Sequence, residues 1–89
     1  MSKFLNKNQL KRIGFLKIGK GCKISNKISC YDLKGSLGDN VRIDDYVCLK
    51  GKISLKSNVH IARGCTLSGG NKGIFVDSYT NLSNYVQVF

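Results

Sequence analysis

The chain has 89 residues, with 15 Lys or Arg against 5 Asp or Glu, and its formal net charge at pH 7 is +10. This length provides one small domain with a limited core. The lysines are scattered rather than grouped, which is typical of a solvated surface, and the sequence has no recognition helix, aromatic RNA-binding motif or zinc finger. Specific nucleic-acid binding is therefore not expected, whereas phosphorylated or acidic glycans stay open as ligands.

The first residues, MSKFLNKNQLKRIGF, are polar where a signal peptide would carry its apolar stretch, and no apolar run is long enough to span a membrane. We therefore expect a cytoplasmic protein without a membrane span. The 4 cysteines lie singly, without a C-x-x-C pair, and there is 1 histidine, so neither a metal site nor a redox motif is predicted. The cysteines are expected to be reduced and mostly packed.

Residues 2–13 are predicted to form a short helical cap. Ser2 is the expected N-cap, Gly14 lies just past the end, and Phe4, Leu5 and Leu10 make an imperfect apolar stripe. A polar helix at this point would cover the open end of the structure that follows.

Residues 14–89 carry a repeat of six residues. In the run LGDNVR IDDYVC LKGKIS LKSNVH IARGCT, a large aliphatic residue leads every hexad, and the residue four places later is small or β-branched. Neither a helix nor a half-buried strand has this period. With three hexads per turn, residues about eighteen apart should lie over one another, in strands about 4.8 Å apart. The predicted stacks are Ile18, Leu37, Leu55 and Ile74; Ile24, Ile43, Ile61 and Thr80; and Cys30, Leu49, Leu67 and Val86.

Two segments, CYDLKGS and LSGGNKG, each carry one extra residue in this reading and fall on the same side of the repeat, two coils apart. They are expected to bulge from one edge. Beyond the last hexad, Val86 and Val88 would have no following layer, so the end of the stack is expected to be uncovered.

The repeat resembles the hexapeptide-repeat acyltransferase family, whose pattern is [LIV]-[GAED]-x-x-[STAV]-x. The resemblance implies an all-β solenoid, a left-handed parallel β-helix of about four coils with a short N-terminal α-helix cap. The run NVHIARGCTLSGGNKGIFVDSYTNLSNYVQVF is most similar to bacterial galactoside and maltose O-acetyltransferases and to capsule or O-antigen acetyltransferases. The family implies acetyl-CoA as acyl donor, a sugar or glycan hydroxyl as acceptor, a role in polysaccharide biosynthesis, no metal, and a trimer with clefts between neighbouring prisms.

In that family a histidine acts as general base on the acceptor hydroxyl, because its pKa suits proton transfer near neutral pH. The usual base would lie in a loop beyond Phe89, and His60 is the 1 histidine present. His60 is therefore the candidate base, although by register it should face outward, toward solvent or another subunit. Residues 1–89 on their own are expected to be inactive.

The resemblance places an acceptor-binding asparagine in the second bulge, and Asn71 is the nearest candidate. Four further candidate substrate-binding residues are Asp77, Ser83, Asn84 and Tyr85 on the last coil, for which ordinary turn chemistry is the alternative. Asp44 and Asp45 are adjacent and should point in opposite directions, so they are not expected to form a catalytic carboxylate pair.

Other activities of the same fold do not fit the sequence. A carbonic anhydrase needs three zinc-binding histidines, an ice-binding β-helix needs regular threonine arrays, and a sugar nucleotidyltransferase needs a nucleotide-binding domain before the coils. The remaining alternative is a non-catalytic chain, the N-terminal remnant or subunit of a disrupted acyltransferase, that only assembles with other chains.

Overall fold

The structure is a computed structural model and describes residues 3–89. One helix and ten strands follow in chain order: α1 (Lys7–Ile13), β1 (Phe15–Ile18), β2 (Lys23–Ile24), β3 (Ser29–Leu37), β4 (Arg42–Ile43), β5 (Cys48–Leu55), β6 (His60–Ile61), β7 (Thr66–Ser68), β8 (Ile74–Val76), β9 (Asn81–Leu82) and β10 (Gln87–Val88). The paired strands are all parallel.

The strands form two sheets. One has the order β1-β3-β5-β7-β10, with β8 also paired to β5, and the other has the order β2-β4-β6-β9. Because each strand pairs with the strand one coil further along the chain, the backbone winds as a parallel β-solenoid of about four coils. The predicted fold, a left-handed parallel β-helix with one short N-terminal helix, is confirmed.

The helix begins later than predicted. Asn6 is its N-cap and forms a capping box with Gln9, in which each side chain accepts a hydrogen bond of 2.9 Å from the other's backbone N–H. The predicted cap, Ser2, lies outside the described residues. Gly14 ends the helix with φ 128°, as expected. Leu10 is buried, but Phe4 and Leu5 precede the helix, so the predicted apolar stripe was wrong.

The segment before the helix pairs with the first coil. The backbone N–H of Leu5 donates to the carbonyl of Ile24 at 2.8 Å, and that of Asn26 donates to Lys3 at 2.9 Å. These bonds satisfy backbone groups at the edge of β2, which an uncovered edge strand would leave exposed. The segment and the helix therefore cover part of the first coil.

The core is the stack of leading aliphatic residues inside the coils. Leu37, Ile43, Leu49, Leu55 and Ile61 are buried, as is the second ladder from Val41 to Cys65. Leu49 pairs in register with Cys30 on one side and with Leu67 on the other. The first three layers of each predicted stack are confirmed.

The fourth layer is shifted by two residues from the prediction. Val76 pairs with Leu55, Leu82 with Ile61, and Val88 with Leu67. The predicted partners Ile74, Thr80 and Val86 were wrong. The reason lies in the second insertion, since the register offset rises from 18 between Lys50 and Ser68 to 21 between Ile53 and Ile74, which makes three extra residues rather than one.

The corners of the coils use left-handed backbone. One column of corner residues contains Gly21, Asn40, Asn58 and Tyr79, and another contains Tyr46, Gly64 and Tyr85, all with φ between 56° and 75°. Gly and Asn adopt this conformation at low cost, whereas other residues pay about 1 kcal/mol or more. Three tyrosines occupy corner positions in which their backbone is strained.

Shortening Leu49 should destabilise the protein strongly. Leu49→Ala removes a fully buried side chain between two coils and is expected to lower the free energy of unfolding by about 2–5 kcal/mol. Leu16→Ala is the matched control, because Leu16 is 75% exposed, and its effect should stay within about 0.5 kcal/mol. Urea denaturation followed by circular dichroism measures both, and equal losses would contradict the stacking.

Replacing Tyr79 should stabilise the protein. Tyr79 has φ 63° and is 80% exposed, so Tyr79→Asn relieves strain without removing core contacts and should raise the free energy of unfolding by about 1 kcal/mol. Tyr31→Asn is the control, because Tyr31 is also exposed but lies in β3 without left-handed backbone. Tyr31→Asn should give no gain, and a Tyr79→Asn variant no more stable than the unchanged protein would refute the strain.

Candidate functional site

An open groove of about 1040 Å³ lies on the six-stranded sheet, at the corner where both insertions occur. We call this corner the insertion corner; it consists of residues 31–34, 50–52 and 69–73. Tyr31 lines the groove from the first insertion, Lys50 from β5, and Asn71 from the second. The volume is that of a site for a small-molecule ligand.

The groove is basic. Lys17, Lys34, Lys50 and Lys52 line it, against the single carboxylate of Asp32. None of the ion pairs formed by residues 3–89 includes any of these four amines. Two of them lie over aromatic rings: Lys50 Nζ is 5.6 Å from the centroid of Tyr31, and Lys52 Nζ is 5.4 Å from that of Phe75. The groove is therefore suited to an anionic ligand.

A second group of polar side chains lies on the outer face of the four-stranded sheet. His60 Nε2 is 2.8 Å from Asp44 Oδ2, and Arg42 Nε donates to Asp44 Oδ1 at 2.9 Å. The register places His60 between Arg42 and Asn81 of the neighbouring coils. A carboxylate that accepts a hydrogen bond from one ring nitrogen fixes the orientation of an imidazole and leaves the other nitrogen able to accept a proton.

The contacts with His60 and Arg42 lower the pKa of the Asp44 carboxyl. Partial burial raises the pKa of its carboxyl, but the hydrogen bonds and charges of His60 and Arg42 lower it more, and the net pKa lies below the ordinary value of 3.8. Asp45 instead accepts a hydrogen bond from Ser25 Oγ at 2.5 Å. The two neighbouring carboxylates therefore have separate partners, as expected.

The predicted residues of the last coil lie at other corners. Asp77 lines a small pocket of about 180 Å³ beside the groove and is 3.5 Å from Lys56 Nζ. A hydrogen bond from the backbone of Ser78, helped by Lys56, lowers the pKa of Asp77. Ser83, Asn84 and Tyr85 are exposed, and the Tyr85 ring lies against Gly64, where a side chain would collide with it.

One chain does not gather the predicted residues into one cavity. Asn71 lies in the groove and Asp77 beside it, whereas His60 lies on the other sheet and Tyr85 at another corner. Sequence reasoning missed the lysines and Tyr31 of the groove. The available signal was that both insertions share one column, which gathers their flanking residues at one corner.

The four cysteines are not linked by disulfides, and the thiol of Cys30 is protonated near neutral pH. All four are free, and Cys65 is buried. Burial, with a contribution from nearby Cys48, raises the pKa of the Cys30 thiol to about 11, so this thiol stays protonated near neutral pH.

Among residues 3–89 no three His, Cys, Asp or Glu side chains are grouped as a metal site would require. The one helix in this range is too short and too polar to cross a membrane.

No protein-family model matches the sequence. Over 90 residues the chain is 36% identical to dTDP-4-amino-4,6-dideoxy-D-glucose acyltransferase of Escherichia coli. This match includes 97% of the chain and 46% of the enzyme, so the chain spans less than half the length of the curated relative it matches.

Solved structures of AntD, an N-acyltransferase from Bacillus cereus, have the same fold. A variant in complex with dTDP and coenzyme A superposes with a TM-score of 0.82 at 42% identity, over 94% of this chain and 46% of that chain. AntD in complex with dTDP and 3-hydroxybutyryl-CoA gives a TM-score of 0.79 at 43% identity, over 91% and 44%. The chain is thus similar, over most of its length, to part of acyltransferases of nucleotide-linked amino sugars.

The Asp44–His60 contact should make stability depend on acid pH. Since the pKa of Asp44 is lowered in the folded state, the unfolded chain binds more protons below about pH 4, and the contribution is present above that pH and is lost as pH falls through the folded value. Asp44→Asn should therefore be less stable than the unchanged protein at pH 7, by under about 1 kcal/mol for so exposed a pair, and the difference should vanish near about pH 2.

Urea denaturation between about pH 2 and 7 measures this difference. His60→Gln is the companion variant: it removes one cause of the lowered pKa, so its stability should fall at a higher pH than that of the unchanged protein. A constant difference between Asp44→Asn and the unchanged protein across the range would contradict the assignment.

Proposed function

We propose that this protein takes part in acyl transfer from a coenzyme A thioester to the amino group of a nucleotide-linked sugar. The observation that carries the proposal is the similarity of 97% of the chain to a dTDP-4-amino-4,6-dideoxy-D-glucose acyltransferase, at 36% identity. The complexes of AntD with dTDP and acyl-CoA support the same pair of substrate classes.

The acceptor atom distinguishes this proposal from the expectation drawn from the sequence alone. That expectation was O-acetylation of a sugar hydroxyl. The curated relative is named for an amino sugar and AntD is an N-acyltransferase, so nitrogen is favoured over oxygen as the acceptor atom. The acyl group is left as a small one, acetyl or 3-hydroxybutyryl, since AntD was solved with the latter thioester.

The chemistry is a direct transfer. The amino nitrogen attacks the thioester carbonyl carbon, the new C–N bond forms as the C–S bond breaks, and the nitrogen loses a proton while the leaving thiolate gains one. A general base for this proton typically contributes about 10²- to 10⁴-fold in rate. His60 is our candidate base, because its contact with Asp44 orients the ring and leaves one nitrogen as acceptor.

The distribution of the candidate residues favours an assembly. His60 and the groove lie on different sheets of one chain, so a site that uses both requires the face of one copy to meet the corner of another. We propose a homotrimer, in which neighbouring prisms form such clefts. Asp77, Ser83, Asn84 and Tyr85 are proposed to contact the acceptor sugar from the exposed corners of the last coil.

The alternative is a non-catalytic chain that only assembles with other chains. The match covers 46% of the curated relative, so the similarity does not distinguish a complete enzyme from a non-catalytic chain. Solution mass by light scattering and an activity assay separate the two: a trimer with turnover supports the enzyme, whereas assembly without turnover supports the non-catalytic chain.

The activity assay should depend on the acceptor nitrogen. The purified protein is mixed with acetyl-CoA or 3-hydroxybutyryl-CoA and with dTDP-4-amino-4,6-dideoxyglucose, and the release of free thiol is followed. The expectation that residues 1–89 are inactive assumed a catalytic base other than His60. With His60 as the base, we expect release with the amino sugar and none with dTDP-6-deoxyglucose, in which a hydroxyl replaces the 4-amine. Equal release with both acceptors would refute the preference for nitrogen.

The same assay tests His60. His60→Gln should lower turnover by about 100-fold or more at pH 7 and by less at high pH, where the amine loses its proton without help. Asn8→Gln is the control, since Asn8 is exposed on α1, outside both candidate sites. An unchanged rate for His60→Gln would remove the residue from the reaction.

A further inference from the structure

We infer that the groove at the insertion corner binds the diphosphate of a nucleotide substrate, with Lys34 and Lys52 contacting the phosphates and Tyr31 contacting the base. This inference rests on the proposed function only for the identity of the nucleotide. The chemistry of the groove itself points to a polyphosphate.

Two lysines of the groove lie directly opposite each other on neighbouring strands. Lys34 and Lys52 are direct partners in the register of β3 and β5, on neighbouring strands about 4.8 Å apart. Like charges on directly opposed residues of neighbouring strands destabilise a sheet. No ion pair within residues 3–89 relieves this repulsion, since Asp32 of the first insertion forms an ion pair with neither amine. An anion bridging both amines would remove the repulsion.

Further charged side chains surround this pair of lysines. Lys17 and Lys50 line the same groove, and Asp32 is the one carboxylate of the lining. A diphosphate carries several negative charges, and its oxygens accept hydrogen bonds from more than one ammonium group. A neutral glycan would not compensate four amines. The groove therefore matches a diphosphate better than an uncharged sugar.

The groove is also lined by uncharged polar and aromatic side chains. Ser36 and Ser54 are register partners on adjacent strands and both line the groove, so their hydroxyls form a short row of donors and acceptors. Tyr31 is 57% exposed at the rim and presents its ring close to Lys50. An exposed ring beside cations is suited to stacking on a nucleobase. The amines, hydroxyls and ring together cover the parts of a nucleoside diphosphate.

Two nucleotides have this chemistry, a dTDP-linked acceptor and coenzyme A, and they are distinguished by direct titration. Isothermal titration calorimetry of the full chain with dTDP, with coenzyme A and with inorganic pyrophosphate measures the dissociation constants at a fixed low salt concentration. The double variant Lys34→Gln/Lys52→Gln, called the groove variant below, should weaken binding of pyrophosphate by about tenfold or more, because two charge-assisted contacts are lost. The same variant should weaken binding of the nucleotide that uses the groove.

The control is Lys23→Gln/Lys27→Gln, which removes the same net charge from exposed lysines outside the groove. It should change binding by less than about threefold, since only long-range attraction is lost. Tyr31→Leu should weaken the nucleotide by about tenfold and leave pyrophosphate unchanged, because only the nucleotide has a base to stack.

The outcomes are decisive in each direction. Selective loss of dTDP binding in the groove variant supports the inference and assigns the acceptor, and selective loss of coenzyme A binding supports it and assigns the donor. Equal losses in both lysine variants, or no pyrophosphate binding to the unchanged protein, overturn it. Pyrophosphate binding does not depend on acyl transfer, so a failed activity assay with retained pyrophosphate binding would refute the proposed function alone.

The variants are expected to fold. All four lysines exchanged are exposed. Lys34→Gln alone keeps the contact of Lys52 with Phe75, so relief of the Lys34–Lys52 repulsion should leave the melting temperature of this single variant unchanged or higher without ligand. Addition of pyrophosphate should then raise the melting temperature of the unchanged protein more than that of the groove variant. A lower melting temperature of Lys34→Gln without ligand would contradict the repulsion between Lys34 and Lys52.

Discussion

The structure depends on the hydrogen-bonded stacking of one coil on the next. Each strand is fixed in register by the strand before it, so every inward side chain must lie over another inward side chain. A chain under this constraint can change its length only where the pairing between coils is interrupted, at a bulge within a strand or in a loop between strands. Both insertions accordingly occur at one corner, and after the three extra residues of the second one the register resumes, with Val76 over Leu55.

The same constraint divides the surface into two kinds of site. Side chains on sheet faces, such as Arg42 and His60, are held by register and stack at fixed distances from their neighbours. Side chains of the insertion corner lie beside irregular backbone and surround an open groove. Orientation of a proton-accepting group suits the first kind of site, and enclosure of a flexible, charged ligand suits the second. The proposed function uses both, on different copies of the chain.

The sequence predicted much of the fold, because a period of six residues is imposed by the coils and is carried by individual side chains. It predicted the stacking of Leu37 on Leu55 and of Ile43 on Ile61, and it located both insertions. It failed for the fourth coil, because IFVDSY fits the hexad pattern in either of two frames. The pairing of Val76 with Leu55 and of Leu82 with Ile61 shows which frame is used.

The site was less predictable, since contacts across coils depend on register and on side-chain direction. Asp44 and His60 are 16 residues apart, so their contact is diagonal rather than directly along a stack, and the hexad alone did not reveal it. The pairing of Lys34 with Lys52 likewise follows only once the first insertion is placed between Tyr31 and Lys34.

The confinement of residues 69–73 to a corner has a consequence for how such proteins diversify. The segment lies between β7 and β8 and the frame recovers after it, so its length and composition can vary while the rungs on either side stay in place. Ligand preference and scaffold integrity then become nearly independent traits. Exchange of residues 69–73 between related solenoids is expected to transfer a binding preference without any change in the stack of aliphatic residues inside the coils.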